Sequence, residues 1–169
     1  DHVGRYEWAD GIVSGRILDV ACGCGYGSAL LAKAGRSVVG VDRRPEAIEF
    51  AETNWKRNGV EFRLQDAFEI AEERFDWVVC FETLEHLRGD VAFLQKLARM
   101  SSNLLISVPN ERVIPLQPGR FIYHVRHYTP EQFVEVLDLG GWMVSGLFHQ
   151  IDAFTRAPAH GAAGRTIIA

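Results

Sequence analysis

Cysteine is scarce: the 169-residue chain has 3, an odd number that cannot build a disulfide framework and suits a reducing compartment. Long apolar runs are missing as well. The longest purely apolar one, Trp77 to Phe81, is far too short to cross a bilayer. Positive charge is not in excess, since 18 Lys and Arg face 22 Asp and Glu for a net charge of −4. That argues against a nucleic-acid partner and leaves room only for a local basic patch. No repeat, low-complexity tract or Ser/Gly linker divides the chain, so one domain over 1–169 is expected. An apolar leader is lacking too, and the first residue is Asp rather than Met, which together predict a cytoplasmic protein with a trimmed start. What is present is 47% hydrophobic and 24% charged, the composition of an ordinary soluble protein. A chain this size can bury roughly 70% of its unfolded surface, enough for a core without staples.

β-Branched runs alternate with helical patterns along the whole length. Arg16 to Val20, Ser37 to Asp42, Val60 to Leu64, Phe75 to Phe81 and Asn103 to Val108 read as five strands. Helices are predicted over Ser28 to Ala34 with Gly35 as the C-cap, from Pro45 through Trp55, and along a stripe of Val91, Leu94, Leu97 and Ala98. A long connection, Glu111 to Tyr128, precedes a helix opened by Thr129-Pro130-Glu131 and closed at Gly140-Gly141. Trp142 to Gln150 and Thr166 to Ala169 read as two last strands. This alternation implies an α/β sheet with helices on both faces. Ligands of such sheets bind beyond the carboxyl ends of the strands, so the residues just after each strand are the ones to examine.

After the first strand comes Asp19-Val20-Ala21-Cys22-Gly23-Cys24-Gly25-Tyr26-Gly27. Closely spaced glycines let a backbone turn sharply and approach a ligand. Asp42 ends the second strand, where a carboxylate can take both hydroxyls of a ribose, and Asp66 follows the third, within reach of an adenine amine. Three acids after three successive strands converge on one crevice and point to a nucleoside. The spacing is Gly-x-Gly-x-Gly, not the Gly-x-Gly-x-x-Gly of dinucleotide folds. Asp19 beside the glycines would repel a pyrophosphate and attract an ammonium or sulfonium group. A cationic amino-acid nucleoside therefore fits better than NAD.

The run Ile17 to Ser28 resembles the first motif of class I S-adenosylmethionine-dependent methyltransferases, and Val38 to Asp42, Gln65-Asp66-Ala67 and Phe75 to Leu87 match the motifs after strands two, three and four. The resemblance implies a Rossmann-like, mostly parallel sheet of seven strands in the order 3-2-1-4-5-7-6. Its seventh strand is antiparallel, a place open to Thr166 to Ala169. It implies S-adenosylmethionine as cofactor and S-adenosylhomocysteine as product, bound by Asp19, Ala21, Cys22, Gly23, Gly25, Tyr26, Asp42, Arg43, Asp66, Ala67, Phe68, Phe81 and Glu82. In that scheme Asp42 takes the ribose, Arg43 flanks the adenine, Asp66 takes its amine and Ala67 offers an amide to the ring. Phe81 and Glu82 line the methionine end. His2-x-x-Arg5-Tyr6 is similar to a segment that small bacterial members fold over the cofactor.

Methyl transfer from a sulfonium is an in-line displacement, and a hydroxyl acceptor must also lose its proton. Two clusters could supply the base: Glu82-Thr83-Leu84-Glu85-His86 after the fourth strand, and Tyr123-His124-Val125-Arg126-His127-Tyr128 in the long connection. If the first is helical, Glu82, Glu85 and His86 share a face. If the second is extended, His124 and Arg126 point one way and Tyr123, Val125 and His127 the other. The expected site is metal-free, with His86 or His127 as base and Glu85 and His124 beside them. The alternative is a divalent cation on Glu82, Glu85, His86 and His127, with His124 the second choice for the last ligand. That arrangement resembles the Glu-x-x-Glu-His…His of small-RNA 2′-O-methyltransferases and the Glu-x-x-Glu-His of ubiquinone-pathway O-methyltransferases. Cys22 and Cys24, one residue apart without a second pair, do not suit zinc. Arg112, Arg120 and Arg126 against one Glu in the long connection suggest a positive rim for an anionic acceptor, a glycan, nucleotide sugar or small metabolite. The rival from another class is a silent cofactor-binding domain acting as a subunit or sensor.

Overall fold

A computed structural model describes residues 2–117, 119–150, 156–158 and 166–169. Helix α1 (His2–Asp10) leads into β1 (Arg16–Val20), α2 (Tyr26–Leu31), β2 (Ser37–Asp42), α3 (Pro45–Trp55) and β3 (Val60–Leu64). Then come β4 (Trp77–Phe81), a 3₁₀ turn at Leu84–His86, α4 (Asp90–Met100), β5 (Leu104–Pro109) and α5 (Pro130–Leu139). Three short strands follow, β6 (Phe148–Gln150), β7 (Arg156–Pro158) and β8 (Thr166–Ile168). Together the strands form one sheet in the order β3-β2-β1-β4-β5-β8-β6-β7.

The first five strands are parallel, with Leu18 opposite Val39 on one side and Val78 on the other. β8 inserts between β5 and β6 and runs antiparallel to both. This is the Rossmann-like class the sequence implies, with β8 as the antiparallel strand and β7 an added edge strand that the sequence did not reveal. β1 lies between β2 and β4, so the chain reverses its direction of travel across the sheet there. A crevice opens at such a reversal, because the connections leave it to opposite faces.

Period-2 alternation divides the core into two layers. Ile17, Val38, Val79, Phe81 and Leu105 pack under α1 and α2 with Tyr6, Ala9 and Leu31. Leu18, Val20, Val78, Cys80, Ile106 and Val108 pack on the other face against Phe93, Leu94 and Leu97 of α4 and Phe133 and Leu137 of α5. Burying strands on both faces is why they read as unbroken apolar runs.

Several boundaries differ from expectation. α2 starts at Tyr26, because Gly25 at φ 83 supplies the turn into it, and it stops at Leu31. Gly35, at φ 82, belongs to the turn beyond and does not cap α2. Asp76 leaves β4 to accept the Arg16 amide at 2.6 Å, and only Phe148–Gln150 of the expected sixth strand pairs. α1 was not read as a helix from sequence, since its buried residues, Gly4, Arg5, Tyr6 and Ala9, include a glycine and a charged side chain and do not form an apolar stripe. α5 opens as expected, with a capping box between Thr129 and Gln132.

Candidate functional site

Two of the strand ends at the reversal are strained. Ala21 after β1 has φ 56 and Glu82 after β4 has φ 50, both left-handed and both non-glycine. Backbone of this kind persists where the surroundings over-determine it, and it gathers at ligand sites. Both residues line one cavity of about 500 Å³. Asp42, Arg43, Asp66 and Ala67 from the ends of β2 and β3 line it too. So do His86 and Tyr123, from the turn after β4 and the long connection. Six of the thirteen cofactor residues expected from sequence, Ala21, Asp42, Arg43, Asp66, Ala67 and Glu82, thus share one space with a base candidate, whereas Asp19, Cys22, Gly23, Gly25, Tyr26, Phe68 and Phe81 do not line it.

The glycine loop reaches the cavity at Ala21 and is tied to its wall through Asp42. The Gly23 amide donates to Asp42 Oδ2 at 3.0 Å, and the Arg44 amide and Nε donate to Oδ1 at 2.9 and 3.4 Å. This pins the Asp42 carboxylate, 7% exposed, at the mouth of β2. A Cβ on Gly23 would meet nothing nearer than Arg44 at 3.9 Å, so the space above it is open. Gly25 is different: a Cβ there would lie 2.5 Å from Ala51 and 2.7 Å from Phe62, so its need for glycine comes from α3 and β3. Asp66 Oδ1 accepts the Phe68 amide at 2.9 Å, a turn that holds Ala67 to the cavity, while Phe68 itself packs edge-on against Phe93.

Asp19 does not face the cavity. It is fully buried, and its oxygens accept from Tyr6 Oη at 2.9 Å and Ser28 Oγ at 2.6 Å. Burial pushes its pKa up to about 6, against the pull of those two donors. The carboxylate ties α1 and α2 to β1. Tyr26 and Phe81 pack edge-on against Tyr6, and the buried Cys22 thiol is pushed far up by burial. The opening segment expected to fold over the cofactor lies in α1, which packs through Tyr6 on Tyr26 and Gly27 of α2 and does not line the cavity.

The turn after β4 is 3₁₀ rather than α-helical, and Glu82 lies outside it. Glu82 Oε1 accepts from Ser107 Oγ at 2.9 Å and Oε2 lies 4.0 Å from Arg5, so this residue leaves the cluster it was expected to join. Glu85 turns inward and is 0% exposed, with no hydrogen-bond partner for either carboxylate oxygen. Burial, and then the neighbouring Glu82 charge, raise its pKa well above the usual carboxylate range. His86 Nε2 sits 3.9 Å from Glu85 Oε1, and His86 Nδ1 lies 3.0 Å from the Tyr123 carbonyl. The Val125 amide donates to the Glu85 carbonyl at 2.8 Å, which staples the long connection to this turn.

The connection itself is a series of turns, not an extended strand. The His124 amide bonds the Phe121 carbonyl at 3.0 Å, and the turns bring His124 and His127 together with Nδ1 of the first 2.7 Å from Nε2 of the second. His127 Nδ1 lies 2.6 Å from the Ile114 carbonyl. His127 therefore stands behind His124, and Glu85, His86 and His124 bring one potential ligand atom each within 4.8 Å of one another. Burial, helped by His86 and His127, lowers the His124 pKa to about 4 and keeps it neutral. The positive rim largely vanishes: Arg112 pairs with Glu131 at 2.8 Å, Arg126 with Asp90, and Arg120 lies over the Phe121 ring. Sequence reading did not single out Val41, Arg44, Gln65, Thr83 and Leu87 as site residues, although Val41 and Gln65 adjoin Asp42 and Asp66 and Arg44 follows shortly after β2.

Residues 13–125 match the model of a methyltransferase domain family. A probable S-adenosylmethionine-dependent methyltransferase of Mycobacterium tuberculosis is 29% identical, over 79% of this chain and 52% of its own. A ubiquinone biosynthesis O-methyltransferase of Xanthomonas oryzae is 33% identical, over 78% of this chain and 62% of its own. The chain thus spans about half the length of the first of these relatives. Among solved structures, a putative methyltransferase of Haloferax volcanii in complex with the activator Trm112 matches 99% of this chain and 88% of its own, with a TM-score of 0.81 at 18% identity. A magnesium protoporphyrin IX methyltransferase of Synechocystis with bound S-adenosylhomocysteine gives 0.71 at 22%, over 99% and 78%. No helix among the described residues is long and apolar enough to cross a membrane. From the residues after each parallel strand to the match over 13–125, the chain belongs to the family of class I S-adenosylmethionine-dependent methyltransferases.

Proposed function

We propose that this chain transfers the methyl group of S-adenosylmethionine to an oxygen of a small hydroxylated acceptor. The observation that carries the reading is one cavity lined by Asp42 and Asp66 and also by His86 and Tyr123. Asp42 would hold the ribose, Asp66 and the Ala67 amide the adenine, and the open space over Gly23 the methionine part. Ubiquinone biosynthesis O-methyltransferases are among the relatives, which supports oxygen as the nucleophile. The acceptor's own class, glycan, nucleotide sugar or metabolite, is part of the proposal.

The chain supplies alignment and a place for the proton. As the acceptor oxygen attacks the methyl carbon, the carbon–sulfur bond breaks and its electron pair stays on sulfur. The acceptor proton passes to a bare imidazole nitrogen. His127 Nε2 is already engaged by His124, so the base is His86 or His124 rather than His127. Alignment of the two reactants in the cavity would supply much of the acceleration such a displacement needs.

A second reading of how the proton is lost rests on Glu85. Two buried carboxylate oxygens without donors, facing two imidazoles, form a set that fits a divalent cation better than it fits an empty core. Glu85, His86 and His124 would hold it, replacing the expected set that included Glu82 and His127. Such an ion would lower the pKa of an acceptor hydroxyl. Nothing in the placement of the other residues depends on it.

Two measurements test the reading. Calorimetry with S-adenosylhomocysteine should show binding that Asp42→Ala weakens by about 10- to 150-fold, the loss of a charge-assisted contact worth roughly 1.5–3 kcal/mol. Radiolabelled methyl transfer to pooled metabolites and glycans should then label at least one pool. Tight binding with no labelled pool would favour the silent cofactor-binding domain, and tighter binding of NAD would reject the site.

A further inference from the structure

We propose that Tyr123 sets acceptor specificity, and that the acceptor carries its hydroxyl on an apolar body, an aromatic ring or alkyl chain, in place of a sugar. The inference rests on the proposed methyl transfer and narrows its acceptor. The turn after β4 and the long connection give the cavity Glu82, Thr83, His86, Leu87 and Tyr123. Two of these have little polar capacity to spare. Glu82 Oε1 accepts from Ser107, and the buried Thr83 hydroxyl donates to the Phe81 carbonyl at 3.1 Å. That leaves the His86 ring and the Tyr123 hydroxyl as polar groups, beside the apolar Leu87 and the Tyr123 ring itself. A sugar brings several hydroxyls, and each costs free energy if it loses water without gaining a partner. One hydroxyl on an apolar body suits this wall better.

The connection also holds apolar side chains out in water. Ile122 and Tyr123 are 72% and 75% exposed, and Val125 is exposed as well. The backbone that carries them is fixed. The Tyr123 carbonyl faces His86 Nδ1 at 3.0 Å, the His124 amide donates to the Phe121 carbonyl at 3.0 Å, and the Val125 amide donates to the Glu85 carbonyl at 2.8 Å. A segment held this way cannot tuck those side chains into the core. Single exposed apolar residues are ordinary, but three within four residues, one of them lining a cavity, mark a recognition surface. Tyrosine suits that task, since its ring offers a large, rigid contact area with few rotatable bonds to freeze.

The arrangement separates the side chain from the scaffold. His86 meets residue 123 through the main-chain carbonyl, which every substitution there retains. Changing the Tyr123 ring therefore tests recognition without removing the contact that places His86.

Calorimetry on the full chain saturated with S-adenosylhomocysteine reads acceptor binding without turnover. The probes are ethyl-, butyl- and hexylphenol, substituted para to the hydroxyl, with methyl glucoside as the sugar. Phenol affinity should rise along the series, by up to about 4-fold for each added methylene that is covered, and should exceed that of the glucoside. Tyr123→Ala should weaken hexylphenol by about 10-fold, whereas Tyr123→Phe should bind it as the wild type does. Both variants should bind S-adenosylhomocysteine as the wild type does, which separates recognition of the acceptor from damage to the site. A flat phenol series, no phenol binding, a glucoside that binds as tightly as the phenols, or equal hexylphenol affinity in Tyr123→Ala each overturns the inference alone. Should Tyr123→Ala not fold, the wild-type series still decides it. Failure of S-adenosylhomocysteine to bind the wild type would strike the methyl-transfer reading, and the inference with it.

Discussion

At the scale of single residues, Asp19 shows how a chemistry-bearing side chain can be legible in type and misread in task. Its place before the glycines made it a candidate to attract a cation, but Tyr6 and Ser28 already take its oxygens. Burial raises its pKa from 3.8 to about 6. The folded protein therefore holds this proton more tightly than the unfolded chain does. Its stabilising contribution is complete below about pH 4 and is lost as pH rises through 6. Asp19→Asn keeps a polar side chain with no titration. In urea unfolding between pH 4 and 7, the variant should gain on the wild type by roughly 2–3 kcal/mol as pH rises, whatever its stability at pH 4. Parallel pH dependences for the two proteins would mean that Asp19 keeps an ordinary pKa.

At the scale of elements, the junction of α1 and α2 turns on one missing side chain. A Cβ on Gly27 would lie 2.2–2.4 Å from the Tyr6 ring, so the two helices touch through glycine and tyrosine. Gly27→Ala should displace Tyr6, break its hydrogen bond to Asp19 and cost about 1–3 kcal/mol by overpacking. In a Tyr6→Ala background the clash is gone, and the same substitution should be neutral or stabilising by up to about 1 kcal/mol from helix propensity. Equal costs in both backgrounds, measured by denaturant unfolding, would show that Tyr6 is not what Gly27 accommodates. The same junction marks a limit of the sequence reading. β1, β2, α3 and β3 were legible because long apolar patterns end at acids or at Pro45. α1 was not, because its four buried residues include Gly4 and Arg5 and so do not read as an apolar stripe, and neither was the His124–His127 pair, because an irregular connection has no repeat that says which side chains meet. The Glu85 carboxylate was legible by spacing, whereas the 3₁₀ turn that separates it from Glu82 was not.

At the scale of the whole molecule, the cavity is bounded by the ends of β1 to β4 and by the long connection after β5, so most of the sheet converges on it. Unfolding any of these strands removes a wall. A cofactor bound there is therefore linked to the global transition, and it stabilises the chain by RT ln(1 + [L]/Kd), about 2.7 kcal/mol at a concentration of 100 Kd. For a domain of this length 1 kcal/mol moves the melting temperature by roughly 2–4 °C, so S-adenosylhomocysteine at that level should raise it by about 5–11 °C. NAD at the same concentration should leave it unchanged, since the glycine loop presents no pyrophosphate spacing. Asp42→Ala should abolish most of the rise without lowering the melting temperature of the ligand-free protein by a comparable amount. The carboxylate is pinned by backbone amides at the cavity's edge, where its loss releases donors to solvent rather than burying them unpaired. A shift with NAD as large as that with S-adenosylhomocysteine, or a full shift in Asp42→Ala, would place the bound ligand elsewhere in the molecule.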